Sequence, residues 1–360
     1  MGTTRGAQGA VAPTGAATPL HVAVPAGGER HAMVGHPEDP SRVDAVLAGI
    51  GDLNLGDALV TVEARPAPPQ ALELVHDRAY LEGLATFCTA GGGAIDADTY
   101  ATEATWDIAR ATAGGGLAVI DSLRRAGNGI GFVVARPPGH HALRDRAMGF
   151  CLVNNVAVAA ATLAAQGERV LIVDWDVHHG NGTQAVFWND PDVLYASVHE
   201  WPLFPWSGAA REVGGPAAMG RTLNVPLPPG ATGDVARRAI EELIAPAAEK
   251  FGPTWVLVSA GFDAHRADPL ADLAWSSGDF AAIARTVAEL VPGRGRLVLF
   301  LEGGYDLSAL RASVTATLGA LTQDRFRASE EETSGGPGME DVTAAGSQRD
   351  RALEGGGEPA

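Results

Sequence analysis

Four polar clusters of the chain follow directly on apolar runs, and each contains side chains that bind metals or transfer protons. The runs GIGFVVA, RVLIVDW, TWVLVSA and RLVLFLE are followed in turn by RPPGHHALRD, DVHHGNGTQ, GFDAHRADPL and GGYDLSAL. Near-continuous apolar runs are typical of strands buried in a parallel sheet, where sites form beyond the carboxyl ends of the strands. Four such clusters together predict an active site.

The cluster after RVLIVDW is the strongest candidate for a metal site. Asp176 and His178 are two residues apart, as are Asp174 and Asp176, so on an extended strand end their side chains point the same way. Asp263 lies at an equivalent strand end and can supply a third ligand. Two carboxylates and one imidazole leave a coordination position open, as catalytic sites require. The donors suit zinc, iron(II), cobalt or manganese; the competing interpretation is a solvated loop.

A second candidate for chemistry is the adjacent pair His140 and His141. Neighbours on an extended backbone point in opposite directions, so the pair cannot simply belong to one apolar face. Imidazole is the side chain whose ordinary pKa suits proton transfer near pH 7. The preceding prolines and glycine, in RPPG, predict a fixed turn that presents the pair.

The elements that must position these residues alternate along the chain. Apolar runs predict strands at 129–135, 169–175, 193–198, 254–260 and 296–302, and helical patterns cover 103–126, 152–166, 234–251, 278–291 and 306–321. This alternation predicts an α/β protein with a parallel sheet covered by helices.

The composition predicts one large soluble domain with tails. The chain has 360 residues, of which 46% are apolar. The small, unpatterned residues 1–18 and the acidic, Gly-rich residues 328–360 are predicted to be disordered, with the domain at 19–325. The net charge of −17 argues against nucleic-acid binding through a basic face. No apolar run is long enough for a membrane span or a secretory signal, and we expect a cytoplasmic protein.

Five motifs of the chain resemble those of the histone deacetylase superfamily, which includes acetylpolyamine amidohydrolases. They are RPPGHHA, GFCLVNNVAVAA, DWDVHHGNGTQ, AGFDAHRADPL and LEGGYDL, and the resemblance extends from about His36 to about Leu321. It implies the three-layer arginase/deacetylase fold, with a central, mostly parallel sheet of about eight strands and helices on both faces. It also implies zinc as the cofactor, with Fe²⁺ or Co²⁺ as alternatives. The Gly- and Ala-rich composition resembles that of a bacterial protein of high genomic GC content.

The resemblance implies roles for individual residues. Zinc ligands are implied at Asp176, His178 and Asp263, and tandem catalytic histidines at His140 and His141. The resemblance further implies that Asp174 is the carboxylate that orients the first histidine and that Asn181 is an amide beside the second. It implies that Tyr305 binds the substrate carbonyl, and that Asp174 and Ser197 form a structural potassium site.

Contacts with the substrate are implied along a tunnel. Its predicted walls and rim comprise Gly149, Phe150, Phe204, Leu270 and Gly303. Asp98, in DADTY, is a candidate for holding the substrate backbone at the mouth of the tunnel, and a plain turn carboxylate is the alternative. Phe204 is the looser match, because the usual FPGTG of the family is FPWSG here. Trp201 and Trp206 flank it and could shape the entrance or serve a contact in a homo-oligomer.

The chemistry that these roles imply is hydrolysis of a linear amide. A metal polarises the carbonyl and makes water a stronger nucleophile, and the protons need a base and then an acid. We expect His141 to take both roles, because a neutral Asn181 partner leaves its pKa closer to that of ordinary imidazole. We expect His140, backed by the anionic Asp174, to hold a proton and stabilise charge.

The substrate is the least determined part of the interpretation. Leu270 matches a rim position that is apolar in class II-type lysine deacetylases, whereas a polyamine-specific relative carries Glu there. We therefore expect acyl-lysine substrates, with acetylpolyamines as the alternative. A non-catalytic module that binds acylated ligands and a two-metal ureohydrolase are less favoured. We expect His179 to be structural, and His265 and Asp268 to form hydrogen bonds within their loop.

Overall fold

The computed structural model describes residues 17–355. Its centre is a sheet of eight strands, all paired in parallel, in the order β2-β1-β5-β10-β9-β6-β7-β8. The strands are β1 (Leu20–Ala23), β2 (Leu59–Val62), β5 (Ile130–Val133), β6 (Val170–Asp174), β7 (Val193–Glu200), β8 (Thr222–Leu227), β9 (Trp255–Ala260) and β10 (Leu297–Leu301). A separate antiparallel pair is formed by β3 (Gly92–Ala94) and β4 (Tyr100–Thr102).

Eleven helices surround the sheet in the part of the chain between residues 17 and 355. They are α1 (Ser41–Asp52), α2 (Pro69–Glu73), α3 (Arg78–Thr89), α4 (Thr105–Ala126), α5 (Asn155–Ala164), α6 (Asn181–Phe187), α7 (Gly233–Ala239), α8 (Ala245–Phe251), α9 (Ser277–Ala288), α10 (Leu307–Thr322) and α11 (Met339–Glu354); a π-helical turn, Ile240–Ile244, joins α7 to α8. Helices α4 and α5 pack together against the sheet, and α1, α9 and α10 form a second group. None of the helices in these residues is long and apolar enough to cross a membrane.

The central strands are buried because their side chains are apolar on both faces. Every residue of β5, β6, β7, β9 and β10 is buried, as a parallel sheet covered by helices requires. The predicted α/β class and the sheet of about eight parallel strands are thus confirmed. The carboxyl ends of β5, β6, β9 and β10 lie next to one another, since these four strands are neighbours in the sheet.

Caps fix where two helices near these strand ends begin. The side chain of Asn154 accepts a hydrogen bond from the N–H of Ala157 at the start of α5, and Asp306 accepts one from Ala309 at the start of α10. Such caps satisfy N–H groups that have no partner inside the helix. They also fix the loops that precede them, which include Phe150 and Tyr305.

The prediction of disorder for residues 328–360 is wrong over most of that range. Helix α11 packs against β8, with Val342 and Ala345 buried at a spacing of three residues. Arg349 donates to the backbone carbonyls of Gly220 and Thr222. The low apolar content of this segment predicts disorder, but a helix on the surface needs only one narrow stripe of buried apolar residues. Residues 356–360, and residues 1–16 of the predicted N-terminal tail, lie outside the described residues.

Candidate active site

A single cavity of about 260 Å³ opens beyond the carboxyl ends of the central strands. It is lined by residues from all four polar clusters and from the loops around them: Asp98, Pro138, His140, His141, Gly149, Phe150, Asp176, His178, Leu203, Phe204, Leu270, Gly303 and Tyr305. Eleven of these, all except Pro138 and Leu203, were predicted from the sequence to have a role in catalysis, metal binding or substrate contact. The cavity therefore gathers side chains that lie more than 200 residues apart in the chain.

Three candidate metal ligands converge at the floor of this cavity. Asp176, His178 and Asp263 each offer a ligand atom, and these atoms all lie within 4.8 Å of one another. The Nδ1 nitrogen of His178 is 3.2 Å from Asp176 Oδ1 and 3.2 Å from Asp263 Oδ2. The other carboxylate oxygens are held by the backbone, since Asp176 Oδ2 accepts from the N–H of Gly303 and Asp263 Oδ1 from that of Val177.

The charges of this cluster fit a divalent cation. Asp176 and Asp263 are almost completely buried, and two adjacent buried carboxylates are costly without a positive partner. Burial and the charge of Asp176 raise the pKa of Asp263, while the two carboxylates overcome the effect of burial and raise the pKa of His178 to about 10. A mixed set of one nitrogen and two oxygens suits zinc, iron(II) or cobalt. These residues therefore fit the metal that the sequence predicts.

The two adjacent histidines have different partners. His140 Nδ1 lies 3.1 Å from Asp174 Oδ2, and both side chains are buried. Burial alone would lower the pKa of His140, but the carboxylates of Asp176 and Asp174 raise it to about 10. An imidazole in this environment stays protonated at neutral pH.

His141 is paired instead with a neutral amide. Its Nδ1 nitrogen lies 2.8 Å from Asn181 Oδ1, which leaves Nε2 without a side-chain partner beside the cavity. Burial and the positive charges of His140 and His178 lower the pKa of His141 well below its ordinary value. The imidazole of His141 is therefore neutral and able to accept a proton.

Tyr305 reaches the cavity from the loop between β10 and α10. Its backbone N–H donates to Asp268 Oδ2 at 2.7 Å, and the guanidinium of Arg42 lies 5.0 Å from the centre of its ring. Burial raises the pKa of Tyr305 well above its usual value, against the opposing charge of Arg42. The hydroxyl is therefore a permanent hydrogen-bond donor. Asp268 accepts a hydrogen bond within its own loop, from the N–H of Leu270, as the sequence predicts, and its other oxygen holds this tyrosine from across the site.

Two phenylalanines form opposite parts of the cavity wall. The ring of Phe204 packs edge-on against His141 at 5.1 Å, and that of Phe150 packs against Tyr305 at 5.9 Å. The backbone at Gly149 and Phe150 has positive φ angles of 55° and 68°. A side chain at Gly149 would collide with His141, so only glycine fits this bend.

The rim of the cavity combines an acidic side chain with apolar ones. Asp98 lies beside Phe150, whose N–H donates to the hydroxyl of the neighbouring Thr99. His36 Nε2 donates to the backbone carbonyl of Asp98 at 2.9 Å, and the His36 ring packs edge-on against Phe150. Leu270 is partly exposed on the rim. His36 thus contacts the rim from the N-terminal loop.

Other sequence-predicted residues lie outside the cavity. His179 is buried between Ser207 and Gln184, and His265 pairs with Glu330 at 3.0 Å. The hydroxyl oxygen of Ser197 lies 2.9 Å from His199 Nδ1. Ser197 is also paired in register with Asp174 on the neighbouring strand β6. The potassium site at these two residues stays a prediction. Trp201 and Trp206 are exposed, as expected for either an entrance or a contact surface.

Two buried residues that hold the histidine pair or its partner Asp174 were missed from the sequence. Glu302 is buried, and its Oε2 accepts hydrogen bonds from the N–H groups of Gly139 and His140. Tyr195 donates its hydroxyl to Asp174 Oδ2 at 3.2 Å. Glu302 had a signal, because an acidic residue ends an apolar strand there, whereas Tyr195 lies within the run VLYASV without one.

Comparison with protein families supports the sequence resemblance. The family model described as "Histone deacetylase domain" matches residues 36–321. Among curated proteins, "Histone deacetylase 10, chloroplastic" from Oryza sativa subsp. japonica is 41% identical over 313 residues, which cover 81% of this chain and 70% of that protein. The "Histone deacetylase-like amidohydrolase" of Pseudomonas aeruginosa is 40% identical over 299 residues, or 81% of this chain and 78% of that protein.

A solved structure supports the fold. The HD domain of HDA15 matches with a TM-score of 0.85 and 32% sequence identity, covering 94% of this chain and 98% of that one. The similarity thus includes the whole sheet and the strand ends that form the cavity.

Proposed function

This chain belongs to the histone deacetylase family, and from that premise we propose that it is a metal-dependent amidohydrolase that removes acetyl or other short acyl groups from acylated lysine side chains. The observation that carries the proposal is the convergence of three kinds of group in one cavity. These are the ligand set Asp176, His178 and Asp263, the neutral His141, and the Tyr305 hydroxyl. Hydrolysis of an amide needs all three.

The metal is proposed to be zinc, with Fe²⁺ or Co²⁺ as alternatives, held by those three ligands. When bound, it supplies Lewis acidity toward the substrate carbonyl and the attacking water. The remaining chemistry belongs to the chain itself.

His141 acts in this proposal as the base and then as the acid. Its Nδ1 is held by Asn181, so Nε2 accepts the proton of the attacking water as the new C–O bond forms. The same nitrogen then gives that proton to the amine as the C–N bond breaks, and the second proton of the water passes from the carboxylic acid to the amine on release, which leaves a carboxylate and an ammonium group. The low pKa of His141 supports its neutral starting state.

Tyr305 and His140 stabilise the charge that develops during this reaction. The Tyr305 hydroxyl donates a hydrogen bond to the carbonyl oxygen as it becomes an oxyanion. His140 remains protonated beside Asp174 and offsets the negative charge of the transition state. Such fixed donors are effective because they need no reorganisation during the reaction.

The cavity walls support a long aliphatic substrate. Phe150 and Phe204 both line the cavity that contains the catalytic groups, and their aromatic surfaces suit the aliphatic stem of a lysine. Leu270 on the rim supplies no negative charge for a second ammonium group. Asp98 is proposed to accept hydrogen bonds from the substrate backbone.

Acetylpolyamines are the alternative substrates. A net charge of −17 and the rim carboxylate of Asp98 would favour cationic amines of any kind. The choice is decided by assaying metal-loaded protein on acetyl-lysine peptides and on N-acetylputrescine side by side. Turnover of neither by metal-loaded protein would refute the amidohydrolase, and a strong preference for the polyamine would reverse the substrate assignment.

Two further measurements make the experiment sharper. Metal content is counted before and after chelation, and we expect activity to disappear with the metal and return with added Zn²⁺, Co²⁺ or Fe²⁺. The variant Leu270→Glu places a carboxylate at the rim, and we expect it to improve turnover of acetylpolyamines while leaving the hydrolytic centre intact. Leu270→Met is the matched control, because it keeps the rim apolar.

A further inference from the structure

Tyr195 is a fully buried tyrosine whose hydroxyl lies behind the histidine pair. The hydroxyl is 3.2 Å from Asp174 Oδ2, and the same oxygen is 3.1 Å from Nδ1 of His140. Tyr195 does not line the cavity, so it has no contact with a substrate there. One carboxylate oxygen thus receives two donors, one from a proposed catalytic residue and one from a side chain with no assigned role.

The sheet explains how this contact is held. Strands β6 and β7 pair in parallel, with Asp174 opposite Ser197 and Ile172 opposite Tyr195. Residues two apart share a face, so Tyr195 lies on the same face as Ser197 and diagonally across from Asp174. The long tyrosine ring spans the diagonal, and both ends of the contact belong to hydrogen-bonded strands.

The space around the carboxylate is closed. A Cβ atom at Gly180 would overlap the Asp174 carboxylate and would lie 2.7 Å from the Tyr195 hydroxyl and 3.1 Å from His140 Nδ1. The remaining oxygen, Asp174 Oδ1, accepts from the backbone N–H of Asp176 at 3.2 Å. Both oxygens therefore have fixed donors.

The hydroxyl is not needed for packing. A phenylalanine would fill the same volume in a strand that is otherwise largely apolar, and a buried hydroxyl is unfavourable unless it is hydrogen-bonded. Burial and the charge of Asp174 raise the pKa of Tyr195 well above its usual value, so the hydroxyl remains a donor. Its hydrogen bond to a carboxylate is of the stronger, charge-assisted kind.

We propose that Tyr195 is a positioning residue of the reaction, which fixes the Asp174 carboxylate so that Oδ2 faces Nδ1 of His140. It acts through Asp174 and touches neither substrate nor metal ligand. The catalytic consequence rests on the proposed function, whereas the hydrogen bond itself does not. Without the hydroxyl, Asp174 gains rotational freedom and His140 is held less well in the position that stabilises the transition state.

The variant Tyr195→Phe tests this with metal-loaded protein. We expect kcat to fall about tenfold, in line with the loss of one hydrogen bond to a charged group, while KM, metal content and melting temperature stay close to wild type. Tyr80→Phe is the matched control, because the Tyr80 hydroxyl also donates one hydrogen bond, 2.7 Å long and partly buried, to the carbonyl of Leu152. An unchanged kcat in Tyr195→Phe, or an equal loss in Tyr80→Phe, would overturn the proposal.

Nuclear magnetic resonance separates this proposal from the proposed function. In the wild-type protein we expect the Tyr195 hydroxyl proton to be protected from exchange and to show a nuclear Overhauser effect to the Nδ1 proton of His140. In Tyr195→Phe the His140 proton should shift. These signals need no turnover, so they are informative even if the protein hydrolyses no amide or if the variant fails to fold. A wild-type spectrum without that Overhauser effect would refute the contact.

Discussion

The Nδ1 nitrogen of His141 lies 2.8 Å from the side-chain oxygen of Asn181. The nitrogen is the donor in this pair, so the imidazole carries its proton on Nδ1 and presents Nε2 to the cavity. Because the partner is a neutral amide, it favours the imidazolium form less than a carboxylate would, and burial and the charges of His140 and His178 lower the pKa of His141. The adjacent His140 has a carboxylate partner instead, and the two rings are therefore in opposite protonation states at neutral pH.

Replacing Asn181 by Asp should change the pH dependence of the enzyme. A carboxylate beside Nδ1 stabilises protonated His141 and raises its pKa by about one unit or more. The base must be neutral to act, so the acidic limb of the kcat/KM profile should move toward higher pH by the same amount. The measurement is a pH–rate profile of Asn181→Asp against wild type. An acidic limb that stays in place would mean that His141 is not the base.

Replacing Tyr305 by Phe should remove the donor to the oxyanion. We expect kcat to fall by about 10²–10³ with little change in KM, because the interaction strengthens only in the transition state. Metal content, measured by mass spectrometry, should stay at the wild-type level, since Tyr305 is not among the proposed ligands. A variant that loses binding rather than turnover would place Tyr305 in substrate affinity instead.

Glu330 should contribute stability that depends on pH. Burial would raise the pKa of Glu330, but hydrogen bonds from the N–H of Ser277 and the ring of His265 outweigh it and lower the pKa to about 2. This stability is fully present above the ordinary carboxyl pKa, near 4.5, and is lost as the pH falls toward 2. Because Glu330 is 29% exposed, we expect Glu330→Gln to lower the free energy of unfolding at pH 7 by about 1–2 kcal/mol.

The check is denaturant unfolding of Glu330→Gln and wild type between pH 7 and pH 3. The difference should shrink as the pH falls below 4.5. Glu63→Gln is the control, because Glu63 pairs only with the exposed Arg65 and should leave stability unchanged at every pH. A difference that is constant over the range would show that the contact is not electrostatic.

Helix α11 should contribute to the stability of the domain. Val342 is fully buried against the rest of the structure, whereas the neighbouring Thr343 is exposed. We expect Val342→Asp to lower the free energy of unfolding by about 2–4 kcal/mol, and Thr343→Asp to have little effect. Equal melting temperatures of the two variants would support the disordered tail that the composition predicts.

The sequence predicts the middle of the sheet better than its edges. Long apolar runs mark β5, β6, β7, β9 and β10, because these strands are buried on both faces. The runs LHVA and LVTV of β1 and β2 have only four residues, and TLNVPL of β8 contains Asn224 and Pro226. Proline is tolerated at a sheet edge, where one side of the strand needs no partner. The edge strands β2 and β8, and the short strand β1 next to β2, therefore lack the continuous pattern that identifies the others.

The candidate site was predictable where its residues follow strand ends. Asp176, His178 and Asp263 could be grouped because parallel strands bring their carboxyl ends together. The roles of Arg42 and Tyr195 could not, because a guanidinium behind Tyr305 and a hydroxyl behind Asp174 depend on packing across elements distant in the chain. The local sequence pattern predicts which face of a helix or strand a residue occupies, but it does not predict which side chain from another element the residue contacts.

The backbone contacts of the ligand carboxylates have a thermodynamic consequence. The N–H of Gly303 holds Asp176, and the N–H of Val177 holds Asp263, so both contacts belong to the polypeptide itself. Folding has thus already ordered the ligands, so an ion can leave and return with little rearrangement of the polypeptide. Metal occupancy then becomes an equilibrium between the protein and its surroundings, in which the concentrations of competing divalent ions help to decide which one the site carries.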